Sequence, residues 1–106
     1  MFVTLWEFEV KPGCEESFEN AYGPDGPWVQ LFRRDSRYRK TLLLKDPFRP
    51  RIYLTLDFWD EKTAYLRFQV AHHTAYAEID LATGALTLQE HRIGSFEQSE
   101  IDSGAL

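Results

Sequence analysis

Apolar and polar residues alternate with a period of two over residues 2–10. Phe2, Thr4, Trp6, Phe8 and Val10 fall on one side, and Val3, Leu5, Glu7 and Glu9 on the other, the spacing of a β-strand. Lys11-Pro12-Gly13 stops the strand. From Cys14 the period lengthens: Cys14, Phe18, Ala21 and Tyr22 recur at helical spacing, with Glu15 and Glu16 near the positive end of the helix. Residues 23–27, rich in Gly and Pro, interrupt it. Asp25 is the expected cap of a short second helix in which Trp28, Leu31 and Phe32 share a face. Residues 38–46 read as a second strand and 47–50 as a Pro-bounded turn. Residues 51–59 read as a third strand, with Ile52, Leu54, Leu56 and Phe58 on one side and Tyr53, Thr55, Asp57 and Trp59 on the other. Asp60 is the expected cap of a long helix whose stripe runs Ala64, Tyr65, Phe68, Ala71, Ala75, Tyr76 and Ile79, with His72 inside it. Residues 86–96 close the domain as a fourth strand. A hairpin around Thr83-Gly84 is the alternative to helix beyond Tyr76.

The order β-α-β-β-α-β predicts an α+β ferredoxin-like domain over residues 1–97, with a polar tail at 98–106. Its first and third strands are expected to be central, parallel neighbours. Two helices cover one face of a four-stranded antiparallel sheet. Yet Val3 and Leu5 oppose Phe2, Trp6 and Phe8 across the first strand, and Leu42 and Leu44 oppose Leu43 across the second. A face left to water shows a cleaner polar row. The expected cover is the sheet of a second copy, giving a homodimer packed as a dimeric α+β barrel.

The 106 residues include 16 aromatics (8 Phe, 5 Tyr, 3 Trp), more than a minimal core requires, which points to a lined pocket or an interface. The net charge of −5 argues against a nucleic-acid partner or an anionic membrane surface. The longest apolar run is three residues, as at Leu42 to Leu44, too short to span a bilayer. The first residues lack the basic and apolar regions of a secretory signal, so a cytoplasmic location is expected. The single cysteine, Cys14, excludes an intrachain disulfide and a multi-cysteine zinc site, and no metal site is expected.

Four stretches carry a family resemblance over about residues 2–97. They are Phe8-Glu9-Val10-Lys11-Pro12-Gly13, residues 18–28 ending in Gly26-Pro27-Trp28, Tyr53-Leu54-Thr55-Leu56-Asp57-Phe58-Trp59-Asp60, and Gln89-Glu90-His91-Arg92-Ile93-Gly94-Ser95-Phe96. In these the chain resembles the antibiotic biosynthesis monooxygenase-like superfamily. The resemblance implies a dimeric α+β barrel and a cofactor-independent oxygenation of a small aromatic or polyketide-like substrate. Non-enzymatic ligand binding, as in stress-response relatives, is the alternative, and haem binding a third. Haem-degrading members use an Asn, a Trp and a His. Aligned on Trp59, these positions fall at Glu7 or Phe8, Phe68 and near Glu78, so none is retained.

His72 is the candidate base, with Tyr76 one turn away as donor; a structural histidine is the competing reading. Candidate pocket walls are Phe18, Tyr22, Trp28, Phe32, Phe68 and Tyr76 from the helices, and Trp6, Tyr53 and Trp59 from the strands. Asp57, an acid within an apolar strand, reads either as part of an acid/base site with Glu7, Glu90 and Arg92 or as part of a cross-strand ion-pair network in which Asp57 or Glu7 meets Arg92; the second reading is preferred. Arg33, Arg34, Arg37, Arg39 and Lys40 read as a solvated basic stretch, and Cys14 as core.

Overall fold

The structure is a computed structural model that describes residues 1–99. Residues 100–106, most of the expected tail, lie outside the described residues. Strand β1 (Phe2–Val10) is followed by helices α1 (Glu15–Tyr22) and α2 (Pro27–Phe32), strands β2 (Tyr38–Lys45) and β3 (Ile52–Trp59), helices α3 (Lys62–Ala71) and α4 (His73–Gly84), and strand β4 (Thr87–Glu97). The strands form one sheet in the order β2-β3-β1-β4, antiparallel throughout. This is the expected ferredoxin-like α+β architecture.

The central pair corrects one expectation: β1 and β3 run antiparallel, with Phe2 opposite Trp59 and Phe8 opposite Tyr53. The helical crossover carries the chain back to start β2 in the same direction as β1. The hairpin then reverses it, so β3 opposes β1.

The periodicities sort the side chains as alternation requires. Phe2, Thr4, Phe8 and Val10 of β1, with Tyr53, Thr55 and Trp59 of β3, are buried beneath the helices. Phe18 and Tyr22 of α1, Trp28, Val29, Leu31 and Phe32 of α2, and Ala64 and Phe68 of α3 complete this core. Aromatic pairs run through it, from Phe18 against Tyr22 with ring centroids 4.3 Å apart to Trp59 against Phe68 at 4.9 Å. The dense aromatic content is therefore largely core.

Two helix starts differ from expectation. Gly26, not Asp25, precedes α2. A Cβ there would lie 2.2 Å from the Ala21 carbonyl oxygen, so the α1–α2 turn closes only around glycine. Glu61, not Asp60, stands at the residue before α3, with no side-chain capping bond, and the Asp60 carboxylate instead accepts from Arg39 Nε. The long second helix is also two helices. His72 leaves helical geometry at φ −119° and ψ 24°, while Phe68 and Tyr76 remain on the core side. The apolar stripe crosses this break because both helices face the same sheet. The hairpin alternative is excluded, since α4 is helical to Gly84.

The other face of the sheet carries Val3 and Leu5, Leu42 and Leu44, and Leu54, Leu56 and Phe58, with Phe96 of β4 opposite Val3. These side chains are half-buried or exposed. Leu43 points instead toward the helices and packs on the core.

Candidate functional site

A cleft with a cavity volume of about 40 Å³, or about 440 Å³ when the open solvent at its mouth is counted, lies between the sheet and the helices. Its lining is Trp6 and Phe8 from β1, Thr41 from β2, Thr55 and Asp57 from β3, Glu90 from β4, Tyr22 from α1, Trp28 and Phe32 from α2, and Tyr76 and Asp80 from α4. Register explains the gathering: Thr41 stands beside Asp57 and Trp6 beside Thr55, while Arg92 lies opposite Trp6 on β4. All are on the helix side of the sheet.

Asp57 is the chemical centre of this lining. Burial pushes its carboxyl from the ordinary 3.8 up to about 6, against the opposing pull of a hydrogen bond from Thr41. Thr41 Oγ1 donates to Asp57 Oδ1 at 2.6 Å. The same hydroxyl lies 2.7 Å from the Tyr38 hydroxyl. Thr41 has one proton, and Asp57 receives it, so Tyr38 donates to Thr41. The result is a directed chain, Tyr38 to Thr41 to Asp57, ending on the cavity floor.

Across the cavity, Thr83 fixes two of the walls. Its Oγ1 accepts from the Tyr22 hydroxyl and from Trp28 Nε1, each at 3.3 Å, and donates to the Ile79 carbonyl at 2.8 Å. Tyr76 packs edge-to-face on Trp28 with centroids 4.7 Å apart. Burial raises the Tyr76 hydroxyl well above its ordinary range, so it stays protonated at neutral pH and available to donate. Tyr22 is pushed up to about 12, also by burial.

Of the expected walls, Trp6, Tyr22, Trp28, Phe32 and Tyr76 come together around this space. Phe18, Tyr53, Trp59 and Phe68 lie beneath it in the core, outside the lining. Tyr53 donates instead to Glu19 Oε2 at 2.6 Å. His72 also lies outside the lining. It closes α3, donating its backbone N–H to the Phe68 carbonyl at 3.0 Å, with its ring 4.8 Å from that of Phe68. Cys14 precedes α1, half-buried against the core.

Among the described residues, no ion pair joins Asp57 to Arg92. Glu7 lies on the opposite sheet face and pairs with Arg49 at 3.4 Å, while Arg92 Nη2 reaches Ser95 Oγ at 2.5 Å. Glu7 and Asp57, on different faces, do not form a carboxylate pair either. The basic stretch is partly neutralised by Asp35 on Arg37 and Asp60 on Arg39. Among the described residues there is no cluster of three or more His, Cys, Asp or Glu placed for a metal ion, and no helix long and apolar enough to cross a membrane.

Phe8, Thr41, Thr55 and Asp80 line the cavity without being singled out by the sequence pattern, whereas Glu90, grouped there with Asp57, does reach it. Period-two counting puts Asp57 on the side of Tyr53 and Trp59, and the structure shows that this side is the one beneath the helices.

No family model matches the chain, and no curated protein matches it by sequence. Solved structures do match. A mutant of SnoaB, a cofactor-independent oxygenase from Streptomyces nogalater, superposes with a TM-score of 0.74 at 16% identity, covering 97% of each chain. A Deinococcus radiodurans protein bearing the name of an antibiotic biosynthesis monooxygenase gives 0.78 at 13% identity, covering 99% of each. A similarly named Nitrosomonas europaea protein gives 0.70 at 13% identity, covering 92% of this chain and 98% of its own. At these identities the likeness is one of fold: the chain shares the architecture of these proteins.

Proposed function

We propose that the chain is a cofactor-independent monooxygenase acting on a small aromatic or polyketide-like substrate with an acidic C–H or O–H, and that Asp57 is its base. The observation that carries this reading is the placement of the Asp57 carboxyl in the lining of an aromatic-walled cavity, where burial pushes its pKa up to about 6. Such a base is ionised at neutral pH yet basic enough to take a proton. The likeness of fold to SnoaB, itself a cofactor-independent oxygenase, supports the reaction class.

For a substrate with a reactive CH₂ beside an aromatic ring, the steps balance as follows. Thr41 occupies Asp57 Oδ1, and Oδ2 takes a proton from the substrate carbon. The substrate anion gives one electron to O₂, and the radical pair combines into a C–O bond, forming a peroxide anion. Asp57 returns its proton to the peroxide. Loss of the remaining C–H proton and cleavage of the O–O bond release water and leave a carbonyl. One oxygen atom enters the product and the other enters water. The aromatic walls exclude bulk water from the anion, and the Tyr76 hydroxyl is the donor for its developing negative charge. This assignment makes Asp57, rather than His72, the base, because Asp57 faces the cavity. Labelled ¹⁸O₂ tests the scheme: one label in the product carbonyl and one in water supports it, while product formed without label overturns it.

The same walls also suit binding without turnover, a reading favoured by one observation: the lining includes no Lys, Arg or His to balance a substrate anion. Ligand binding with no oxygen consumption would select it. Haem binding has less support, since Phe68 is core, Glu78 is exposed on α4 and Glu7 lies on the far sheet face.

We further propose that the active form is a homodimer joined through the open sheet face. Val3, Leu5, Leu42, Leu44, Leu54, Leu56 and Phe58 make that face apolar across three adjacent strands. An isologous pairing of two copies covers it in one step. The free cysteine, Cys14, suits the reducing cytoplasm in which we place the protein.

A further inference from the structure

The cavity is acidic at its floor and at its rim. Asp57 lies on the sheet, while Asp80 of α4 and Glu90 of β4 line the same space and are exposed. None of the ion pairs among the described residues involves any of the three. Arg92, two residues along β4 from Glu90, donates to Ser95. The acids nevertheless influence one another and the walls. Burial raises the Glu90 carboxyl and Asp80 raises it further; Tyr76, raised first by burial, also responds to Asp57 and Asp80.

The same lining carries the rings of Trp6, Phe8, Trp28 and Tyr76. Trp28 and Tyr76 meet edge-to-face at 4.7 Å, and Trp6 and Phe8 stack with centroids 6.3 Å apart. Aromatic faces attract organic cations through their quadrupole. Rim carboxylates attract the same ligands and repel carboxylates and phosphates. The two features, chemically independent, favour one ligand charge.

We infer that the cavity selects an aromatic ligand bearing a protonated amine, with the ammonium held by Asp80 and Glu90 and the ring body against Trp28 and Tyr76. The inference rests on the oxygenase reading for turnover, and it removes a difficulty in that reading. When Asp57 takes the substrate proton, a substrate anion forms beside two carboxylates with no cation in the lining. An ammonium carried by the substrate supplies the missing positive charge. Simple phenols and aromatic acids of the same size lack it.

Calorimetric titration of the intact protein with 1-naphthylmethylammonium, 1-naphthalenemethanol and 1-naphthoate separates charge from shape. The ammonium is expected to bind about tenfold or more tightly than the alcohol, with the carboxylate weakest, and the margin should shrink as salt rises. In Asp80→Asn, Glu90→Gln and the double variant, the ratio of ammonium to alcohol affinity should fall stepwise toward one. These are exposed positions, and circular dichroism checks that each variant is folded. Equal binding of ammonium and alcohol by the wild type, a ratio unmoved in the double variant, or binding of none of the three overturns the inference. Ammonium selectivity without oxygen uptake on any aminated phenol or anthrone upholds the inference and rejects the oxygenase reading. Oxygen uptake on neutral substrates without ammonium selectivity does the reverse.

Discussion

The Thr41 hydroxyl donates to Asp57 Oδ1 at 2.6 Å and so stabilises the charged form of a carboxylate that burial disfavours. Without this bond the carboxyl would titrate higher still. Thr41→Val is therefore expected to move the Asp57 titration upward from about 6, and Thr41→Ser to leave it in place. Tyr38→Phe, which removes only the outer link of the chain, should have the smaller effect. Carboxyl carbon NMR of labelled aspartate reads this directly, and a Thr41→Val titration at or below the wild-type midpoint would contradict it.

The same carboxyl is a stability cost. Its folded pKa, about 6, lies above the ordinary 3.8, so the native state binds the extra proton between those values. Stability from this residue is greatest below about pH 4 and is lost as pH rises through about 6. Asp57→Asn removes the penalty and can keep the Thr41 hydrogen bond. Urea unfolding should show the variant more stable by about 1–3 kcal/mol at pH 8, with the gain fading near pH 4. A destabilised variant at pH 8 would mean that the charge is compensated.

Thr83 tests the wall. Thr83→Val leaves the Tyr22 hydroxyl and Trp28 Nε1 without the acceptor they share. A loss of about 1–3 kcal/mol is expected, with a fall in Tm, and Thr83→Ser should recover most of it. An unchanged Tm in Thr83→Val would show that these donors find other partners.

The open sheet face tests assembly. Light scattering should give twice the 12.4 kDa chain mass at micromolar concentration. Leu5→Asp, on the open face, should give a folded monomer. Leu43→Asp, on the helix side against the core, should unfold the chain instead. A wild-type monomer would overturn the dimer proposal.

The strands, the residues that share a side and the fold class are legible from period-two spacing in β1 and β3, but which side the helices cover is not, because Val3 and Leu5 make the second side of β1 as apolar as the first. The break at His72 is not legible either, since Phe68 and Tyr76 lie on the core side to either side of it and no Pro or Gly marks the turn. For the site, the aromatic residues could be picked out, but their division into core and cavity could not. Phe18 and Phe68 differ from Trp28 and Phe32 only in what lies above them, which depends on how the four helices tile the sheet. Asp57 was visible as an acid in an apolar strand. The bulge between Leu5 and Trp6 brings Arg92 opposite Trp6, on the same side of the sheet as Asp57, but the two do not pair, because β1 stands between their strands and Arg92 turns to Ser95.

Oxygen uptake by wild type and Asp57→Asn, followed from pH 5 to 8 on anthrone- and quinol-type substrates with and without an amine, tests the assignment of the base most directly. The wild-type rate should climb with pH through an apparent pKa near 6, as the base ionises. Asp57→Asn should be slower by about 10²–10⁴-fold and should lack that limb. An Asp57→Asn rate within about twofold of wild type, with the same pH profile, would contradict the account.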